Sequence, residues 1–204
     1  MKIAAFSAGM GAALAALLFL DQPVARIALE HAPLLGPWPR AISAVTGPVP
    51  IFSVLLVLTL MNAGKRASAS DPPAQASAIN LPLRLMAGGA AALAVALLVK
   101  GVIGRARPAP GQLDSLRFDV LNFTDAFASM PSAQASLAAA LAAMIIRYCP
   151  LYRWYAVAVA ATACLARAMV PEHWLSDVIA GVVLGAAIGH IMPLTRTLRS
   201  ERSA

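Results

Sequence analysis

The sequence predicts an all-α fold, an integral membrane bundle of about six transmembrane helices. Three observations lead there. Apolar residues make up 60% of the 204-residue chain and charged residues 12%, with a mean hydropathy of +0.75; a soluble domain is about half apolar and a quarter charged. The excess gathers into runs near the length of about 20 residues that a membrane helix needs. The informative ionisable residues stand at the ends of those runs, where lipid gives way to water.

The first run, Ile3–Leu20, follows Lys2 and resembles a signal peptide. The stretch Asp21-Gln22-Pro23-Val24-Ala25 offers no small-x-small cleavage site, so the run is expected to stay as a helix. Val49–Ala63 is a second, shorter span. Segment Gly64–Asn80 is rich in Ala, Ser and Pro, carries Lys65 and Arg66, and reads as a flexible cytoplasmic loop. The remaining spans are Leu81–Gly104, Ser132–Arg147, Leu151–Val170 and Trp174–Pro193. No internal repeat and no second domain is visible, so residues 1–204 form one domain.

A net charge of +7 and a pI of 10.3 raise the question of nucleic acid. No basic stripe interleaved with aromatics supports it, and several cations flank apolar runs, where one membrane leaflet favours them. Cys149 and Cys164 lack CxxC spacing, so neither a disulfide framework nor a zinc site is expected. No metal or other cofactor is implied. With both termini inside, the cytoplasmic side holds Lys2, Lys65, Arg66, Arg84, Arg147, Arg153, Arg196, Arg199 and Arg202 against Asp71 and Glu201. Asp21, Glu30, Asp114, Asp119, Asp125 and Glu172 fall opposite. The positive-inside rule therefore places both termini in the cytoplasm, and the residues below near the outer face of the cell (bacterial inner) membrane.

Lys100 and Arg107 are seven apart, two helical turns and one face, with Pro108 expected to end the helix beside the cation. His173 and Asp177 are four apart at the start of the last helix. On one face, Asp177 accepts from one imidazole nitrogen and leaves the other free to attack. Arg167 can fold back toward the same place. Gly181, Gly185 and Gly189 extend the spacing and let another helix approach closely, turning this face into the bundle. Pro131-Ser132 opens the fourth helix, whose free N–H groups suit a phosphate. Three cations, a histidine and a carboxylate fit capture of a phosphate and attack on it.

The ordered set K-x6-R-P (Lys100 to Pro108), P-S-x-x (from Pro131) and R-x5-H-x3-D (Arg167 to Asp177) resembles the signature of the type 2 phosphatidic acid phosphatases, the PAP2 superfamily, which includes vanadium haloperoxidases. The motif core spans residues 100–177, and the helical layout extends the likeness over most of the chain. The resemblance implies that His173 is the nucleophile that forms a phosphohistidine, with Asp177 holding its ring. It implies that Lys100, Arg107, Ser132 and Arg167 bind the phosphoryl oxygens, assisted by the Ala133 backbone N–H. The implied partners are a lipid phosphate or diphosphate substrate and the membrane lipids.

The chain departs from the family's P-S-G-H, reading Pro131-Ser132-Ala133-Gln134. Ala133 keeps the N–H, but Gln134 stands at the position of the family's general acid and cannot deliver a proton at neutral pH. Ala166 replaces the usual serine before Arg167. The expectation is a phosphatase favouring a good leaving group, such as a lipid diphosphate, or one using Glu172, Asp125 or His31 as a substitute acid. The alternative is a catalytically impaired relative that binds a lipid phosphate or a partner helix. A haloperoxidase fits the many spans poorly, and a channel fits poorly with polar residues gathered at one face. Phosphatase and phosphotransferase, the particular lipid and the oligomeric state stay open at this point.

Overall fold

The computed structural model describes residues 3–67 and 80–192, and all statements of structure below concern these. They form six helical rods. The first joins α1 (Ile3–Ala15), a π turn over Ala16–Leu20 and α2 (Asp21–Leu35); the second joins α3 (Trp38–Val45) and α4 (Pro48–Ala67). The others are α5 (Asn80–Ile103), α6 (Ala133–Tyr148), α7 (Arg153–Met169) and α8 (Leu175–Ile191). Three stretches, Ile3–His31, Trp38–Ala63 and Leu81–Ile103, are long and apolar enough to cross a membrane; α6 and α8 are shorter apolar helices. No strand forms among the described residues, apart from isolated bridges such as Arg105 with Phe118.

The packing suits lipid. The buried core is dominated by alanine, including Ala92, Ala96, Ala135, Ala140 and Ala163, while Phe19, Leu98, Trp154 and Val159 point outward. Small residues let helix backbones approach where no water drives association. The closest approach runs along α8. A Cβ added at Gly181 would stand 2.5 Å from the Ser132 carbonyl oxygen. At Gly185 and Gly189 it would press on the carbonyls of Ser136 and Ala140. The expected close partner of the glycine series is thus α6. At the other end of this pair, Arg147 on α6 donates to the carbonyls of Gly189 and His190 at 3.0 and 2.5 Å, capping the C-terminus of α8.

The rods depart from the expected boundaries in definable ways. Helix continues past Leu20, because the Asp21 N–H bonds to the Ala16 carbonyl across the π turn. Pro23 then falls in the first turn of α2, directly after the π turn. The second rod begins at Trp38 and reaches Ala67, so residues 64–67 are helical rather than loop; the rest of the expected loop, residues 68–79, lies outside the described residues. So do Lys2, Asp71, Arg196, Arg199, Glu201 and Arg202, which entered the orientation argument.

Candidate active site

Helix α5 stops at Gly104, not at Pro108. Gly104 adopts φ +57°, and its N–H bonds back to the Lys100 carbonyl at 2.8 Å. A side chain there would strike the Asp119 carbonyl, so glycine is needed for both the left-handed turn and the close approach. Beyond it the chain runs extended: the N–H groups of Ala106 and Arg107 bond to the carbonyls of Arg117 and Ala126, each at 3.0 Å. Lys100 and Arg107 therefore do not share a helical face, as their spacing suggested. They converge because the segment after the turn folds back over the end of the bundle.

Lys100 is buried and donates to the Ala128 carbonyl at 2.8 Å. Arg107 pairs with Asp125 at 2.8 Å and lies 3.8 Å from Glu172. Arg167, at the end of α7, donates to Glu172 at 2.8 Å and to the Ser43 hydroxyl at 2.9 Å. Its Nε is buried without a hydrogen-bond partner. An unused buried donor on a guanidinium is a standing demand for an acceptor. Burial raises the Glu172 pKa, but the hydrogen bond and charge of Arg167, with Arg107 and His173, hold it below the usual carboxylate range on balance.

His173 lies in the turn before α8, with Trp174 as N-cap. His173 and Asp177 therefore do not share a helical face, and the ring meets the carboxylate differently from what the spacing suggested. Imidazole Nδ1 stands 2.8 Å from the Ser129 carbonyl and 3.7 Å from Asp177 Oδ2. A carbonyl only accepts, so Nδ1 carries the proton and Nε2 keeps its lone pair. Asp177 Oδ2 accepts from the Ser129 hydroxyl at 2.5 Å and from the Trp174 N–H at 2.8 Å. The carboxylate thus holds the residue that holds the ring. Burial pushes the His173 pKa down to about 4; Asp177 opposes this, while the nearby charges of Lys100 and Arg167 reinforce it.

Ser132 is the N-cap of α6, its hydroxyl accepting loosely from the Ala135 N–H at 3.5 Å. It is fully buried, and its N–H donates to the Asp177 carbonyl at 2.9 Å, locking α6 to α8 beside the histidine. Ala133 is the first residue of α6, where helical N–H groups lack intrahelical partners. The Gln134 amide nitrogen donates to the Ser43 carbonyl at 2.6 Å and the Thr46 hydroxyl at 2.9 Å, and its oxygen accepts from the Ser43 hydroxyl at 3.2 Å. Gln134 is thereby tied to α3 and, through Ser43, to Arg167. A cavity of about 400 Å³ opens here, lined in part by Arg40, Ser43, Gln134, Arg167 and Glu172. An apolar cavity of about 690 Å³ lies among Thr46, Ile51, Leu141, Tyr155 and Ala163.

Of the alternative acids, Glu172 belongs to the cluster and Asp125 joins it through Arg107; Asp125 is 90% exposed. His31 is exposed and donates to the Ile27 carbonyl at 3.0 Å. Among the described residues no three His, Cys, Asp or Glu side chains group to hold a metal. Sequence reasoning missed Asp21, Ser43, Arg105 and Ser129. Asp21 is expected from the charge bias on the outer side; it is 1% exposed and pairs with Arg105 at 2.7 Å. The available signal was Asp21 itself, the one acid between an apolar run and a prolonged helix.

Comparison with known proteins meets this geometry. The family model described as the PAP2 superfamily matches residues 81–200. Comparison with curated proteins gives no significant match. Among solved structures, the fold is similar to that of a PAP2-type phosphatidylglycerolphosphate phosphatase from Bacillus subtilis, with TM-score 0.56 and 16% identity over 94% of this chain and 85% of that one.

Proposed function

This chain belongs to the PAP2 superfamily, and from that premise we propose that it is a membrane phosphatase that hydrolyses a lipid-linked phosphate or diphosphate through a phosphohistidine at His173. The observation that carries the reading is the buried, unpartnered Nε of Arg167. It belongs to a cation whose charge, with that of Lys100, acts on a histidine held in the Nδ1–H tautomer. Phosphoryl transfer asks mainly for positioning and charge stabilisation, and this cluster offers both.

In the proposed reaction, Lys100, Arg107 and Arg167 hold the phosphoryl oxygens, with the Ala133 N–H at the start of α6 adding a donor; the buried Ser132 keeps α6 in place. Glu172 gives way to the incoming anion. The Nε2 lone pair of His173 forms the N–P bond while the P–O bond to the leaving group breaks, its electron pair going to that oxygen. Water then attacks the phosphohistidine, phosphate departs, and the ring returns to its neutral form. Gln134 has no proton to give. A lipid diphosphate expels a lipid monophosphate anion, which needs none, so it is the favoured substrate. Charge bias of the helix ends supports both termini in the cytoplasm and the site at the outer face of the cell membrane.

A second reading has its own observation. Every hydrogen bond of the Gln134 amide described above goes to Ser43 of α3 or to Thr46, which caps it, which fits a relative that binds a lipid phosphate without efficient turnover. Phosphate release from phosphatidic acid, phosphatidylglycerol phosphate and a polyprenyl diphosphate, measured on the native chain and on His173→Ala, decides. The phosphatase reading expects release by the native chain and loss of about 10³-fold or more in the variant, because the nucleophile is gone. Equal background from both assigns the binding role.

A further inference from the structure

Arg105 is fully buried, two residues before the cation Arg107, yet its surroundings are wholly different. Its Nε donates to the Ser115 carbonyl at 3.0 Å. Nη1 donates to the Ser176 hydroxyl and to Asp177 Oδ1, each at 2.6 Å. Nη2 donates to Asp21 Oδ2 and to the Ser115 carbonyl, each at 2.7 Å. These bonds use every N–H a guanidinium has. The rings of Trp174 and Phe118 lie 5.3 and 5.7 Å from its central carbon, within cation–π range. Arg105 has nothing left to offer a phosphate.

Its charge is divided between two carboxylates, each fully buried or nearly so. Asp21 also accepts from the Ser176 N–H at 2.8 Å and the Ser176 hydroxyl at 2.5 Å, tying the first rod to the first turn of α8. Two buried carboxylates thus face one buried guanidinium, so acidic groups outnumber basic ones in this cluster. Asp177 Oδ2 faces the imidazole side of the network, where Ser129 bridges to the ring. A neutral Nδ1–H imidazole gains positive charge as its Nε2 bonds to phosphorus, so a fixed negative charge nearby stabilises that step. Paired with Arg105 alone, Asp177 would lose most of this effect.

We infer that Asp21 and Arg105 are positioning residues for the nucleophile: Arg105 fixes Asp177, Asp21 balances Arg105, and together they hold Ser129 and the His173 ring ready for attack. The inference rests on His173 being that nucleophile. It assigns a catalytic consequence to a contact between residues 84 apart, one of which, Asp21, comes from the first rod and lies outside residues 81–200.

The test uses the full chain in detergent micelles, with phosphatidic acid and a polyprenyl diphosphate as substrates and orthovanadate as a probe of the phosphoryl cradle. Turnover is expressed per folded molecule, from thermal unfolding. Asp21→Asn keeps the shape and removes the balancing charge. It lowers kcat about tenfold, a loss equal to one pKa unit of interaction, while KM and vanadate inhibition stay within about twofold. Ser176→Ala, which removes one bridging hydroxyl, lowers kcat by about threefold in the same pattern; it decides the matter should Asp21→Asn not fold. Native kcat in the folded variants, or a loss confined to KM and vanadate affinity, overturns the inference and leaves the network a structural tie. Failure of the native chain to release phosphate, or native turnover by His173→Ala, overturns the phosphatase reading and takes the inference with it.

Discussion

Substituting Gly181 by alanine puts a single methyl between the two helices that frame the histidine. The new Cβ would stand 2.5 Å from the Ser132 carbonyl oxygen and 3.1 Å from the Ala135 Cβ. Ordinary contact begins near 3.4 Å, so α6 and α8 must separate by about 0.9 Å, and the obstacle is backbone that cannot swing aside. Overpacking of this kind costs about 1–3 kcal/mol, partly offset by the roughly 1 kcal/mol that Gly→Ala gains within a helix. Gly11→Ala isolates the second quantity, because an added Cβ there meets nothing within 4 Å. Gly181→Ala should therefore be less stable than Gly11→Ala by about 1–3 kcal/mol. The shift also stretches the bond from the Ser132 N–H to the Asp177 carbonyl. A misplacement near 1 Å costs a reaction about 100-fold, so kcat of Gly181→Ala falls by that order while Gly11→Ala stays native. Thermal unfolding and lipid-phosphate turnover in detergent measure both. Equal unfolding temperatures and equal kcat for the two variants would refute the close-packing argument.

Further outcomes follow from the charges around the ring. His173 attacks as neutral imidazole, and burial holds its pKa at about 4; the acid limb of kcat/KM against pH should therefore lie near 4–5, and a midpoint at 6–7 would contradict the burial argument. The unfolded chain, with an ordinary histidine pKa near 6.5, binds more protons between those values. Stability should thus fall as pH drops through that window, by up to about 1.4 kcal/mol per unit, seen as an acid-side loss in unfolding temperature that His173→Gln lacks. Glu172→Gln removes the carboxylate that occupies Arg167. It should lower KM and the vanadate inhibition constant by about two- to fivefold, the size of an exposed ion pair; weaker vanadate inhibition would assign Glu172 a supporting role in binding. Gln134→His supplies a proton donor and should raise monophosphate turnover by about tenfold or more with a smaller gain on the diphosphate. An equal gain on both would remove the leaving-group argument.

Much of this architecture was legible because hydropathy reports what lipid requires. The middles of α5, α6, α7 and α8 fall within the apolar runs, and the glycine series of α8 meets α6 as a small-residue interval should. The region from Asp21 to Val45 was not legible. Asp21, Arg26, Glu30 and Arg40 dilute its apolar character, and a proline two residues after Asp21 reads as a break. The chain stays helical there, with the proline in the turn that follows the π turn, and Asp21 finds a guanidinium inside the protein. A window of sequence registers the cost of burying that carboxylate and cannot register its partner, 84 residues away.

The site shows the same limit at finer scale. Spacing suggested a helical pair of His173 and Asp177; they stand 3.7 Å apart, but not as such a pair, since four residues apart implies one only when both residues are helical. Here Trp174 caps the helix and Asp177 reaches back to its N–H at 2.8 Å, as an N3 acid does. That local demand takes one lone pair of Oδ2, Ser129 takes another, and Arg105 takes Oδ1. The ring proton goes instead to the Ser129 carbonyl. The carboxylate is thus satisfied by groups from the post-α5 segment, the loop before α6 and α8 itself, and it can hold the histidine in place only after all three have assembled. Arg107 and Lys100 obey the same logic: their convergence depends on the left-handed turn at Gly104, not on a shared helical face. Cation identity is written locally in the chain, whereas the direction each cation points is set by a turn, a cap and a buried counter-charge contributed from elsewhere.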